Sequence, residues 1–280
     1  MEKNENLVDI ERILKTKNPK LYKFLPGFII RYIKKTIHED QINETISKYS
    51  DYYELDFVSK ILEHFEIKTE VFGLDNIPQN GRFIFAANHP IGSFDGIAFM
   101  DILGKKYGIT KSLVNDLLTY IKNYGSLFLG VNKHGSNPKD AIKEIDEVFS
   151  SDYQVIIYPA GLASRKKKGK IRDLEWKKTF ISRAKKYKRD IIPVHITGNL
   201  SNFFYNLSNI RSFLGIKSNL EMFYLVDETF KQKGKTIEFR FGKPISFSTF
   251  DDKFSDTEWA QKVKQHVYNI GEKDINSIMC

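Results

Sequence analysis

The sequence predicts an α/β fold: a largely parallel or mixed central sheet flanked by helices, preceded by an N-terminal helical segment. Three observations carry this. From about residue 67, short runs rich in Ile, Val and Phe alternate with longer segments of helical spacing. Several of those runs are apolar throughout rather than at every second position, as strands covered on both faces are. The chain has 280 residues, 41% of them hydrophobic, enough to bury a full core as one large domain. The expected division is a helical segment over 1–66, with a membrane interface as one of its two readings, and an α/β domain over 67–280 that includes the C-terminal helix.

In chain order, Pro26 opens a helix whose residues Phe28, Ile29, Tyr32, Ile33 and Ile37 share one broad face, with Arg31, Lys34 and Lys35 opposite. Such a helix either lies in a lipid interface or packs on the core with solvated lysines. A second helix is expected over 52–65, through Tyr53, Phe57, Ile61 and Phe65. Strands are expected at 82–87, 111–114, 126–131, 155–158, 190–196, 221–226 and 236–241. Helices are expected at 96–106, 117–123, 138–149, 174–186, 202–213 and 257–270. Pro138 in a first turn and Gly125 after a last one support two of these boundaries. The stretch 221–241 is expected to form an antiparallel pair. No internal repeat or low-complexity linker appears.

Lys and Arg exceed Asp and Glu by nine, with a pI near 9.2, so an anionic partner is expected: nucleic acid, an anionic membrane surface or an acidic carrier protein. The single cysteine, Cys280, allows neither a disulfide within one chain nor a cysteine metal site, and a reducing compartment is the simplest fit. The charged start lacks the apolar core of a secretion signal, and no apolar run approaches the roughly 18 residues of a membrane span. The expectation is therefore a cytoplasmic protein, free or bound to a membrane face.

The run Phe83-Ile-Phe-Ala-Ala ends in Asn88 and His89, and Pro90, Gly92 and Ser93 then turn the chain toward Asp95. Two readings stand here. In one, Asp95 fixes the His89 tautomer and the imidazole serves as a general base toward a substrate hydroxyl. In the other, His89 caps the following helix and Asp95 is an N-terminal residue favoured by the helix dipole.

A second strand end, Tyr158-Pro159-Ala160-Gly161, is followed by Ser164, Arg165 and a run of lysines. In a parallel sheet both loops emerge at the same edge, where ligands bind. Arg165 can grip a phosphate or carboxylate through two hydrogen bonds, and backbone N–H groups near Gly161 can assist. The lysine run reads equally as a solvated loop or an RNA contact, but it lacks interleaved aromatics, and no nucleic-acid module appears. The six histidines are scattered without metal-ligand spacing, and His195 reads as a hydrogen-bonded structural residue. Glycine-rich nucleotide motifs are absent, which argues against a kinase or dehydrogenase.

These residues resemble those of the glycerolipid acyltransferase superfamily, which includes the 1-acylglycerol-3-phosphate acyltransferases. Asn88-His89 and Asp95 resemble the family's Asn-His-x4-Asp motif. Residues Tyr158 to Arg165 resemble Phe-Pro-Glu-Gly-Thr-Arg-Ser, and Ile192-Pro193-Val194 resembles a later Val-Pro-Val element. Five residues rather than four separate His89 from Asp95, and Ala160 replaces the motif glutamate. Both departures are similar to the haemolysin-like branch, as are Ile171 to Trp176 and Phe203-Phe204-Tyr205. That branch contains O-acyltransferases that finish ornithine and glycine lipids. Leu162 stands where the branch often has glutamate.

The resemblance implies a lysolipid O-acyltransferase, peripheral to the inner face of the cell membrane, that moves a fatty acyl group from acyl carrier protein or CoA to a lysolipid hydroxyl. His89 and Asp95 would be catalytic. Asn88, Ser93, Gly161, Ser164, Arg165 and Lys133 would contact substrate, with no bound cofactor, metal or nucleic acid. The alternatives are a 1-acylglycerol-3-phosphate acyltransferase, a hydrolase in which the dyad activates water, and a lipid- or RNA-binding protein without catalysis.

Overall fold

The computed structural model describes residues 8–17, 19–114, 118, 121–130 and 138–272. Its sheet strands are β1 (Lys68–Phe72), β2 (Phe83–Ala87), β3 (Thr110–Val114), β4 (Phe128–Gly130), β5 (Gln154–Ile157), β8 (Asp190–Ile196) and β9 (Thr236–Phe241). They form one sheet in the order β1-β9-β8-β2-β5-β3-β4. Strands β8, β2, β5, β3 and β4 are parallel; β9 is antiparallel to β8, and β1 lies parallel to β9 at the edge.

Every residue of β2 is buried, and its side chains alternate between two cores. Phe83, Phe85 and Ala87 pack with α5 (Glu54–His64) and α6 (Phe94–Tyr107), whereas Ile84 and Ala86 face Trp176, Phe180 and Val267. The last two belong to α8 (Thr179–Tyr187) and α11 (Asp256–Glu272). Helices on both faces are what a run without alternation requires. Because the central strands are parallel, the segments after β2, β5 and β8 emerge at one edge, and the candidate site lies there.

The N-terminal segment is helical: α1 (Ile10–Lys17), α2 (Pro19–Phe24), α3 (Gly27–Thr36), α4 (Glu39–Lys48) and α5. Phe57, Val58, Ile61 and Leu62 of α5 belong to the main core. α3 buries Ile30 and leaves Phe28 and Tyr32 exposed, 61% and 49% respectively. It therefore packs by one stripe and presents rings on another.

The structure differs from the sequence expectation at the edge strand β1, which no expected strand covers, and in three further places. Residues 221–226 are not a strand: Leu220–Tyr224 is a 3-10 turn and Leu225–Phe230 is helix α10. The run is apolar without a period of two, and Glu221 is drawn fully into the protein by two arginines. The expected antiparallel pair is instead β8 with β9. The lysine-rich loop is a hairpin, β6 (Arg165–Lys167) with β7 (Lys170–Arg172), turned by Lys168 and Gly169 at φ 49° and 78°. Positive φ at both turn residues matches the twist of a two-residue hairpin. Of the expected helix 117–123, residues 117, 119 and 120 lie outside the described residues, and Lys122–Tyr124 is a 3-10 turn.

Candidate active site

His89 ends the buried run of β2, and Asp95 is the second residue of α6. Nδ1 of His89 lies 2.9 Å from Oδ2 of Asp95. The same Oδ2 accepts from the N–H groups of Ile91 and Gly92 at 3.0 and 3.1 Å, and Oδ1 accepts from those of Ser93 and Gly96 at 2.8 and 3.0 Å. The carboxylate thus sits in a nest at a helix N-terminus, where N–H dipoles favour negative charge. Gly92 makes the curl possible. Its φ is 79°, and a Cβ there would come within 2.9 Å of Ala163 and 3.0 Å of Leu225.

The electrostatics follow from this geometry. Burial acts to raise the Asp95 carboxyl, but the charge and hydrogen bond of His89 and the N–H groups of Ile91 and Gly92 outweigh it, so its pKa falls below the ordinary value. Burial acts to lower the His89 ring, yet the Asp95 charge and hydrogen bond prevail, helped by Asp173, and its pKa rises. The ring stacks on Tyr158 with centroids 4.0 Å apart. The His89 side chain keeps 17% of its surface open while Asp95 has none.

Asp173, to which the sequence assigned no role, ties the two strand-end loops together. Its Oδ1 accepts from the His89 backbone N–H at 3.2 Å and from the Ser164 hydroxyl at 2.5 Å, and its Oδ2 accepts from Trp176 Nε1 at 2.8 Å. The Ser164 N–H donates to the His89 carbonyl at 2.8 Å. The one signal in the sequence is an aspartate three residues before a tryptophan at the end of a cationic run.

The sequence-derived residues fall into distinct settings. Asn88 exchanges two hydrogen bonds with the backbone of Ile196, at 2.8 and 2.7 Å, so its amide joins β2 to β8. Gly161 turns after β5 at φ 69°, close to Lys177. Ser93 Oγ and Tyr158 Oη are buried and have no partner among the described residues. Arg165 is 4% exposed, donates to Glu221 Oε1 at 2.7 Å and stacks over Phe204 at 5.2 Å. Glu221 also accepts from Arg211 Nε at 2.8 Å. The fork of Arg165 is therefore engaged inside the protein. Lys133 lies outside the described residues.

A cleft of about 400 Å³ opens beside the His89 loop, lined among others by Asn88, Pro90, Lys170, Arg172 and His195. The expectation of a hydrogen-bonded His195 is corrected here. Its ring packs on Gly271 and its Nδ1 has no partner among the described residues. Burial, with Arg240 nearby, pushes its pKa down to about 4, so it is neutral at physiological pH.

An imidazole oriented by a buried carboxylate, at the end of a parallel sheet and beside a cationic hairpin, has the parts of an enzyme that moves a proton from a hydroxyl or from water during acyl chemistry. A family model described as "Acyltransferase" matches residues 12–275. The chain belongs to this acyltransferase family and is an acyltransferase. A lyso-glycine lipid O-acyltransferase of Bacteroides thetaiotaomicron is 46% identical over 265 residues, covering 94% of this chain and 97% of the relative. One of Phocaeicola vulgatus with the same description is 44% identical over 265 residues, covering 94% and 95%. Among solved structures, the 1-acyl-sn-glycerophosphate acyltransferase PlsC of Thermotoga maritima matches 78% of this chain and 83% of its own, with 18% identity and a TM-score of 0.45.

Proposed function

We propose that this enzyme transfers a fatty acyl group from a thioester, acyl carrier protein or CoA, to the free hydroxyl of a lyso-aminolipid of the glycine-lipid type. The observation that carries the mechanism is the His89–Asp95 pair. With Nδ1 held by Asp95, the other ring nitrogen takes the hydroxyl proton as the acceptor oxygen attacks the thioester carbonyl. The tetrahedral intermediate then collapses, the carbon–sulfur bond breaks, and the imidazolium returns its proton to the departing thiolate. Asp95 stabilises the imidazolium and stays ionised throughout. Ser93 Oγ, buried with no partner among the described residues, is assigned to the reacting oxygen atoms.

We assign the acceptor's anionic head to Lys177, beside Gly161, and, on the resemblance alone, to Lys133. Arg165, Ser164 and Asn88 support the loops from behind. The reaction requires no bound cofactor. The setting we infer is the inner face of the cell membrane, where a water-borne donor meets a lipid acceptor, and no helix among the described residues is long and apolar enough to cross a membrane. The exposed rings and cations of α3 support this reading.

The test is acylation of a panel containing lyso-glycine lipid, lyso-ornithine lipid and lysophosphatidate by wild type and His89→Ala, with each donor. The expected result is preferential acylation of the lyso-glycine lipid and a loss of about 10²–10⁴-fold in kcat for the variant. Unchanged turnover in a folded His89→Ala protein defeats the mechanism. Preference for lysophosphatidate reassigns the acceptor, release of free fatty acid without an acceptor marks a hydrolase, and no turnover at all marks a binding protein.

A further inference from the structure

Nine of the fourteen exposed large hydrophobic residues among those described fall in two segments far apart in sequence: Phe24, Phe28 and Tyr32, and Phe203, Ile210, Phe213, Leu214, Ile216 and Leu220. The second set is helix α9 (Asn202–Phe213) and the residues that follow. α9 buries Phe204, Tyr205 and Ser208, so Phe203, Ile210 and Phe213, spaced by seven and three, project from the opposite side. Phe213 is 90% exposed and Leu214 is 62% exposed, at a tip turned by Gly215. A patch of this kind on a soluble surface marks an interaction site.

The two segments meet through the Leu220–Tyr224 turn. Tyr32 Oη and Tyr224 Oη are 2.9 Å apart, the Tyr32 ring stacks beside Phe223, and Phe203 meets the Tyr224 ring edge-on at 4.9 Å. Arg165 and Arg211, both bonded to the buried Glu221, fix this turn and α9 to the hairpin. Leu225, the next residue, packs where Gly92 lacks a side chain, three positions after His89. The apolar seam therefore runs from α3 to the loop that carries the base.

Charge selects the occupant. Residues 191–220 contain no Asp or Glu, and include Arg211 and Lys217. Residues 12–38 likewise contain none, against eight Lys and Arg. Arg211 pairs with Glu221, Lys15 with Glu11, and Lys34 with Glu11 and Glu39. Exposed rings set beside other cations of these segments, Lys20, Lys23, Arg31, Lys35 and Lys217, suit an anionic lipid surface, with apolar groups below the headgroups and cations level with them.

We propose that the outward face of α9 and the tip at 213–220 insert into an anionic bilayer, forming one platform with α3 that delivers the lysolipid laterally to His89. This deepens the acyltransferase reading above, since it supposes a lipid acceptor. The platform holds the seam against the membrane, so the acceptor's acyl chain need not leave the bilayer.

The experiment is co-sedimentation of the full chain with phosphatidylglycerol-rich or pure phosphatidylcholine vesicles, without donor or acceptor. Wild type is compared with the double variant Phe213→Ser, Leu214→Ser, whose melting curve serves as the fold control. The expected result is binding to the anionic vesicles and a fall of about tenfold or more in the variant's partitioning. In the Phe213→Trp protein, anionic vesicles should shift tryptophan emission to the blue, and brominated acyl chains should quench it. Turnover of a short-chain, water-soluble lysolipid should be the same for wild type and the double variant. Unchanged partitioning, or no emission shift with Phe213→Trp, overturns the proposal even if the enzyme is active. Vesicle binding that depends on Phe213 and Leu214 upholds the platform even if the lysolipid panel yields no turnover.

Discussion

Asp95 accepts from four backbone N–H groups besides the His89 ring, so its charge persists whether or not His89 is protonated. Its consequence is a particular pH profile. The His89 pKa stands above its ordinary 6.5, and only the neutral ring can take a proton. Activity should therefore fall as pH drops through that raised value and level off above it. In Asp95→Asn the lifting charge is gone while burial remains, so the acidic limb should move to lower pH. Its plateau kcat should fall about 10²–10⁴-fold, because the imidazolium loses its partner. pH–rate profiles of both proteins check this, and an acidic limb that stays in place removes Asp95 from its assigned role. The dyad was legible in the sequence because its members lie six positions apart in one turn. The setting of Arg165 was not, because the carboxylate that engages it is 56 positions away. A motif arginine that reads as a ligand grip is, in the fold, half of a buried ion pair.

Among the elements, the Leu220–Tyr224 turn and α9 depend on one carboxylate. Glu221 has no exposed surface and serves both Arg165 and Arg211. Removing it leaves two guanidiniums facing each other in a desolvated site, and Glu221→Ala should lower unfolding stability by about 3–5 kcal/mol. Replacing all three residues with apolar ones of similar volume should restore most of that loss, because the penalty comes from uncompensated charge rather than from the missing pair itself. Denaturant unfolding of the single and triple variants measures both. A triple variant no more stable than Glu221→Ala contradicts the argument. The same turn shows where element reading failed. Strands β2 and β8 were legible because their runs are largely apolar and bounded by turn residues, and β9 because apolar and polar residues alternate along it. β1 is a mostly exposed edge strand with a single Val and Phe, and β6 and β7 are three-residue cationic strands, so neither carries a burial signal. Residues 221–226 carry a strong apolar signal, but their partners are a helix and a hairpin rather than neighbouring strands.

At the scale of the whole molecule, a net charge of +9 suits the donor proposed above, acyl carrier protein or CoA, which is anionic in either form. The hairpin places Lys167, Lys168 and Lys170, all exposed, at the edge where the strands end. Long-range attraction of this kind raises the encounter rate and is screened within about 8–10 Å at physiological salt. It would not act on the chemical step, which the proposal assigns to His89 and Asp95. With a water-soluble acceptor, which removes membrane docking from the measurement, kcat/KM for either donor should fall about tenfold between low and physiological salt. The kcat at saturating donor should change by less than about twofold, because steering affects capture and not turnover. An acyl thioester of a neutral thiol should show no such salt dependence, since the field has no charge to act on. Equal salt responses from charged and neutral donors would mean that salt acts on the fold or the dyad, and the positive surface would then have no part in donor capture.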